Sequence, residues 1–309
     1  MQHHLKGPHF QLMKTRLGVK MKKFYKIGPV TLLLQDFPSN NIYPFSLWKA
    51  DAYTTTETKP DITISYIPGV IVPNGECVKT ERSLYVVRRT FSLPDGGMLW
   101  QQEDAENGNI ILQFVTDAKG ENVRLTVDKS ESYGMAAFES LTFIIFYLLL
   151  RQGVLTFHGV LMEYSSKGVI ISAPSEEGKT THARLWRDNK NALILNSDRS
   201  SCYKENGKWI GFGTPWCGTG GENINRNVPL KALVILKRGT ENRACVMKNH
   251  KILAEVLPHV MYPNSNEELT NCALSLLDEF LQQIPVISLE CTPCADAVDV
   301  LYDCLEKLI

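Results

Sequence analysis

The chain has 309 residues, with 33 Lys or Arg balanced by 33 Asp or Glu, 44% hydrophobic and 21% charged residues. These proportions are ordinary for a globular protein and exclude a disordered or collagen-like chain. The zero net charge excludes a broadly basic nucleic-acid binder, while leaving room for a local anion site flanked by opposed patches.

The first twenty residues show no clear periodicity and Met21 opens a more regular stretch; residues 1–22 are read as a basic, disordered leader, in which His3, His4 and His9 are expected to be solvated rather than to hold a metal. The first 35 residues carry seven Lys or Arg and no acid, but the nearest apolar run, Val30 to Leu34, is too short for a secretory signal. Eight cysteines, at 77, 202, 217, 245, 272, 291, 294 and 304, are too sparse for a disulfide scaffold. A reduced, cytoplasmic protein is therefore expected.

Residues 23–130 read as a β-rich accessory domain. Strands are predicted at Val30–Leu34, Ile62–Tyr66, Leu84–Leu93, Met98–Gln102, Ile110–Phe114 and Val123–Val127, the last four as an antiparallel meander with turn residues between them. Ser130 to Leu150 is predicted helical. Its apolar run Leu141 to Leu150 is ten residues, against the roughly 20 a spanning helix needs, so a buried helix and no membrane role are expected.

From residue 131 to 309 the texture is mixed. Strands are predicted at Leu155–Phe157, Val160–Tyr164, Val169–Ser172, Leu193–Leu195, Cys202–Lys204, Trp209–Phe212, Lys231–Leu236 and Val286–Leu289. Helices are predicted at Thr180–Arg187, Glu267–Gln283 and Asp296–Leu308. Asn206-Gly207 marks a hairpin. The Gly-rich segment Gly213 to Pro229 reads either as a loop that closes over a substrate or as a flexible connection. From Glu255 onward there are ten acidic residues and one Lys, an acidic outer face expected to be solvated. Cys291-Thr292-Pro293-Cys294 has metal or redox spacing, but with no second Cys/His pair at zinc spacing nearby and no thioredoxin pattern around it, it reads as a structural thiol pair.

The strongest chemical signal is Ala173-Pro174-Ser175-Glu176-Glu177-Gly178-Lys179-Thr180-Thr181, set between a predicted strand and a predicted helix. That is the context of a phosphate-binding loop: amides at a helix start converge on one anion, and the helix dipole adds partial positive charge. Ser175, Glu177, Gly178, Lys179, Thr180 and Thr181 are the expected nucleotide contacts, with Lys179 against the phosphates and Thr180 on Mg²⁺. Ala173 stands where a glycine is usual, and Glu176 where a small residue is common. Two carboxylates beside a triphosphate repel it unless they point away.

Phe157-His158-Gly159 before this loop and Asn196-Ser197-Asp198-Arg199 after the next strand, taken with Gly178-Lys179-Thr180, resemble the HPr kinase/phosphorylase family over about residues 140–309. Thr180-Thr181 is similar to the loop of ATP-dependent phosphoenolpyruvate carboxykinase, a fold relative. Gly213-Thr214-Pro215-Trp216-Cys217-Gly218, Asn225-Arg226 and Pro229-Leu230-Lys231-Ala232 look like a bacterial branch of this superfamily whose members are often found with peptide-modification genes. The resemblance implies an α+β or α/β chain: an antiparallel β-rich domain followed by an HPr kinase/carboxykinase-like P-loop domain with mixed sheet and helices. It implies ATP, or another nucleoside triphosphate, and Mg²⁺. Asp198 would be metal ligand and base, His158 its catalytic neighbour with Lys179, and Arg226 and Arg199 substrate contacts. It also implies a tendency to form homo-oligomers.

Two departures limit the carry-over. Asp198 is followed by Arg199 where the family has paired acids, and Thr180 by Thr181 where it has Glu. Neither phosphorolysis nor HPr as acceptor is implied. The expected function is a metal-dependent phosphotransferase acting on a hydroxyl of a protein, a peptide or a small metabolite. The alternative is a non-catalytic nucleotide-binding or partner-binding module. A carboxykinase-type decarboxylase is disfavoured, because no second metal site is identifiable.

Overall fold

The computed structural model describes residues 21–37, 48–127, 133–248 and 252–308. The expected leader, apart from its last two residues, and its three histidines lie outside them.

The first sheet is built from β1 (Met21–Ile27), β2 (Val30–Phe37), β3 (Thr54–Thr55), β4 (Ile62–Tyr66), β5 (Glu76–Arg82), β6 (Val86–Ser92), β7 (Met98–Asp104), β8 (Ile110–Thr116) and β9 (Asn122–Val127), with a short α1 (Trp48–Asp51) before β3. Its order is β3-β1-β2-β4-β9-β8-β7-β6-β5. The β6–β9 meander is antiparallel, but β2 pairs β4 and β4 pairs β9 in parallel. The sheet is thus mixed, which corrects the antiparallel expectation: α1 and β3 intervene between β2 and β4, which are therefore joined by a crossover rather than a hairpin. Besides the two-residue β3, two strands of this sheet were not predicted. β1 begins inside the supposed leader and buries Phe24, Tyr25 and Ile27. β5 is an edge strand whose side chains are nearly all exposed, so burial imposes no alternation on it.

α2 (Tyr133–Arg151) lays Leu141, Ile144, Ile145, Phe146, Leu148 and Leu149 into the core of this first sheet. That core continues onto Val154, Tyr203, Phe212 and Trp216 of the following segment. The apolar run in α2 is therefore core, and among the described residues no helix is long and apolar enough to cross a membrane.

The second sheet comprises β10 (Val154–Tyr164), β11 (Lys167–Ser172), β12 (Leu193–Asn196), β13 (Arg199–Glu205), β14 (Lys208–Phe212), β15 (Asn227–Arg238), β16 (Arg243–Val246) and β17 (Val286–Cys291). The two strands predicted at 155–157 and 160–164 are one long strand. Its first half pairs β13, and its second half pairs β11 and β12. β10 turns into β11 through Ser165 and Ser166, both at positive φ, the geometry of a tight hairpin. β11, β15 and β17 run parallel.

Helices cover this sheet on both faces: α3 (Lys179–Lys190) and α6 (Asp296–Glu306) on one, α4 (Ile252–Val256) and α5 (Glu267–Gln283) on the other. The alternation is visible residue by residue. Val169 and Ile171 of β11, and Ala232, Val234 and Leu236 of β15, pack on the α3–α6 side; Ile170, Leu233 and Ile235 pack on the other. Strands buried on both faces read as unbroken apolar runs, which is why they were legible. The acidic outer faces of α5 and α6 are partly neutralised by Arg151–Glu268, Lys204–Glu279 and Lys190–Asp299 pairs at 2.6, 2.9 and 2.7 Å. The whole is an α+β architecture of mixed sheets with a few helices.

Candidate active site

Parallel strands place their carboxyl ends on one edge, and in open sheets that edge is where ligands bind. Here β11 ends at Ser172, β15 at Arg238 and β17 at Cys291. β10 runs antiparallel to β11, so Gly159 pairs with Ser172 and His158 arrives at the same edge. Ser172 Oγ donates to the His158 carbonyl at 2.6 Å, and Gly159 N–H donates to the Asp198 carbonyl at 3.0 Å. The loop, His158 and Asp198, widely separated in sequence, thus share one edge for reasons of strand register.

The segment Ala173–Gly178 leads into α3, whose first turn has no side-chain cap. Uncapped helix starts of this kind are where anions bind in general. Gly178 lies at φ 101°, and a Cβ there would meet nothing within 4 Å, so the approach to the helix start is open. Lys179 is buried, and its ammonium donates to the carbonyls of Ala173 and Pro174, both at 3.0 Å. Burial pulls it below its ordinary value; Asp198 and Glu177 oppose that shift and Arg199 adds to it. Ser175 and Thr181 are exposed and Thr180 half-buried. Glu176 is at φ 65°, where glycine is usual. Its carbonyl accepts from Arg238, whose Nε also lies 3.6 Å from the Glu177 carboxylate. Glu177 is thereby drawn toward the end of β15.

Asp198 follows β12 and is held from every side. His158 Nε2 lies 3.1 Å from its Oδ1, and Arg199 pairs with its Oδ2. Burial alone would push the carboxyl up; the His158 hydrogen bond and the charges of Arg199, His158 and Lys179 outweigh it, so Asp198 lies below the usual carboxylate value. Asn196, fully buried, sets its backbone: Oδ1 accepts from the Asp198 and Arg199 amides at 2.9 and 2.6 Å. The other end of Asn196 donates to the Thr214 and Trp216 carbonyls at 3.0 and 3.1 Å. Gly218, at φ 58°, lies so close that a Cβ would meet the Asp198 carboxylate at 2.6 Å. Only a glycine permits that contact. The Gly-rich segment backs Asp198: Trp216 and Cys217 are buried and Ser197 Oγ donates to the Cys217 carbonyl at 2.8 Å.

Not every candidate reaches this edge. Arg226 pairs with Glu163, Nε to Oε2 at 2.7 Å and a terminal nitrogen to Oε1 at 2.8 Å. Glu163 is five residues beyond His158 on β10, roughly 17 Å along the strand. Arg226 is thus the partner of a nearly buried carboxylate away from this edge, and Arg226→Ala should cost about 2 kcal/mol by stranding that charge. Thermal unfolding checks this, with ligand affinity unchanged. Arg199 does reach the edge, but through Asp198. His182, in the first turn of α3, is buried: its Nε2 accepts from Trp186 Nε1 at 3.2 Å.

Three residues at the site were not anticipated. A cleft of about 770 Å³ beside the loop is lined by His158, Pro174, Glu177, Lys237, Arg238 and His259 among others. Lys237 and Arg238 end a buried apolar strand, a signal the sequence did carry. His259 arrives because Met261 N–H bonds the Thr156 carbonyl at 2.8 Å and Val260 bridges Phe157, a contact no local pattern announces. Burial, then the charges of His158 and Lys179, hold His259 below its ordinary value.

No protein family matches the chain and no curated protein matches it. Among solved structures, the HPr(Ser) kinase/phosphatase from Coxiella burnetii is similar over 49% of this chain and 88% of its own, at 12% identity and a TM-score of 0.29. At that level of likeness, the roles of the residues rest on the geometry described above.

Proposed function

We propose that the chain binds a nucleoside triphosphate with Mg²⁺ on the 173–181 loop and transfers its terminal phosphoryl group to a hydroxyl. The acceptor is a Ser or Thr of a protein or peptide, or a small metabolite. The observation that carries this reading is the meeting, at one sheet edge, of an uncapped helix start, a buried Lys179 and a carboxylate fixed by His158 and Arg199.

Phosphoryl transfer asks mainly for positioning and charge compensation. The α3 amides and Lys179 supply the anion site, with Lys179 exchanging two loop carbonyls for phosphate oxygens. Among the described residues no three or more His, Cys, Asp or Glu side chains converge. Thr180 and Asp198 would hold Mg²⁺ with phosphate and water completing its shell, the common habit of this ion. When bound, the ion neutralises developing charge on the phosphate oxygens. Asp198, with its lowered pKa, stays ionised at neutral pH, orients the acceptor hydroxyl and takes its proton late. His158 and Arg199 keep the carboxylate aimed.

The test is transfer of labelled γ-phosphate from Mg–ATP to hydroxyl acceptors, with Mg–GTP and pyrophosphate in parallel. Lys179→Ala should weaken Mg–nucleotide binding at least about tenfold, the effect of losing one charge-assisted phosphate contact. Unchanged affinity by calorimetry would remove the loop from the site.

A second reading, nucleotide binding without transfer, draws on the loop itself. Glu176 occupies a glycine-like backbone position, and Arg238 ties the Glu176 carbonyl and the Glu177 carboxylate to β15. Glu176→Gly, which removes a carboxylate from the loop, should raise Mg–nucleotide affinity about fivefold, one repulsion of about 1 kcal/mol in a solvated setting. Binding that improves with transfer still absent from every acceptor would favour the second reading.

A further inference from the structure

Cys291-Thr292-Pro293-Cys294 has no part in the chemistry proposed above. It links the end of β17 to the start of α6, on the same sheet edge as the phosphate loop. Cys291 is buried in the core between α3 and α6, and the half-buried Cys294 packs against that same core. The Cys294 N–H closes on the Thr292 carbonyl at 2.9 Å, folding the motif into a tight turn.

The Cys294 sulfur is ringed by hydrogen-bonding groups. Asn242 Nδ2 donates to it from 3.3 Å, the Thr292 hydroxyl lies 3.1 Å away, and backbone amides of Ala297 and Asp296 at the start of α6 face it. Asn242 cannot turn its oxygen to the sulfur, because that oxygen already accepts the Thr292 N–H at 2.9 Å and the Thr292 hydroxyl at 3.2 Å. Its N–H is therefore directed at the thiol. A thiolate would draw the Thr292 hydroxyl round as a further donor. The hydrogen bonds of Thr292, Asn242 and Ala297 pull Cys294 below the ordinary thiol value. Burial, then the neighbouring Cys294 charge, pushes Cys291 above it. Thiol–disulfide exchange uses such a division of labour: one half-buried sulfur favoured as thiolate, and a second, more protected thiol three residues away in the same turn.

We propose that Cys291 and Cys294 form a thiol–disulfide modification site, with Cys294 the attacking and Cys291 the resolving sulfur, oxidised by low-molecular-weight disulfides. The Cys294 thiolate attacks the disulfide RSSR, forming a mixed disulfide and releasing RS⁻. Cys291 then loses its proton to solvent, attacks the Cys294 sulfur and expels the second RS⁻. Two protein thiols are oxidised by two electrons, and one small disulfide is reduced to two thiols.

The site is placed to act on the phosphate loop. Cys291, Thr292 and Pro293 share a cavity of about 240 Å³ with Glu177, Gly178, Thr181 and His182. The Cys291 carbonyl also accepts the N–H of Gly239 at 3.1 Å, next to the Arg238 that holds the loop. A new covalent bond in the turn therefore changes one wall of the cavity that the loop lines.

The full chain, equilibrated in glutathione–glutathione disulfide buffers, trapped by alkylation and mapped by mass spectrometry, tests this. Cys291 and Cys294 should be recovered as one disulfide. Cys291→Ser should stop at a glutathione adduct on Cys294, and Cys294→Ser should leave Cys291 unmodified. Hydrogen exchange of amides 175–181 should change at least about threefold on oxidation, a readout independent of whether nucleotide binds. The proposal fails if Cys294 is modified no faster than the exposed Cys77 and Cys245, if the adduct on Cys291→Ser lies elsewhere, or if loop exchange is unmoved by the disulfide. A disulfide with altered exchange and no nucleotide affinity would uphold this site while overturning the function proposed for the loop.

Discussion

Asp198→Asn should lower phosphoryl transfer by about 10²–10⁴-fold, the range for losing a positioned acid–base group, while Mg–nucleotide affinity changes far less. The substitution keeps the shape of the side chain, and the oxygen facing His158 Nε2 at 3.1 Å survives. What goes is the negative charge that Arg199 and Lys179 offset and the basic oxygen an acceptor hydroxyl requires. Asp198 is held below the ordinary carboxylate value, so turnover should stay flat as pH falls from neutral toward that value, with no loss from Asp198 until its own lowered pKa is reached. Single-turnover transfer and calorimetry on the same preparation separate the two effects. An unchanged rate would remove Asp198 from the chemistry.

The second large effect concerns stability and sits one helical turn inside the site. His182 is buried on α3, and burial lowers its pKa from 6.5 to about 4. Its Nε2 accepts from Trp186, so the neutral ring carries its proton on Nδ1, which has no partner among the described residues. Between pH 6.5 and 4 the unfolded chain binds a proton at this position that the folded chain excludes. Stability therefore rises with pH through that window and is lost as pH falls. The linkage amounts to about 2 kcal/mol between pH 7 and pH 5. Denaturant unfolding at the two pH values measures it. His182→Gln keeps an acceptor for Trp186 and removes the titration, so that share of the slope should disappear; an unaltered slope would show that His182 is not its source.

Legibility followed burial. β4, β6 to β9, β11, β15, β17 and α5 could be found because each presents either alternation or an unbroken apolar run, the direct imprint of one or two covered faces. β5 was missed because an exposed edge strand need not alternate. The division of β10 into two strands was a misreading of His158-Gly159, a polar interruption that marks where one strand changes partners. At the edge described above, the loop was legible because it follows a buried strand, whereas Asp198 and His158 were singled out by the family resemblance. Arg226 stood as a candidate because nothing local distinguishes an arginine bound to Glu163 from one awaiting a substrate.

By itself the sequence determined the α+β texture, the strands buried on both faces and the loop that ends in Gly178-Lys179-Thr180. These are local properties, set by side-chain periodicity and by what a backbone can do at a glycine. Tertiary structure decided which of the candidates meet. Parallel pairing of β11, β15 and β17 puts their carboxyl ends on one edge, and the register of β10 and β12 carries His158 and Asp198 to it. The contacts of Gly218, Asn196, Arg238 and His259 depend on chain segments far apart in sequence. The neutral charge balance is compatible with the site proposed above, because helix amides, one lysine and one carboxylate change the sum by almost nothing. Its charges are brought together by the fold rather than concentrated in any segment.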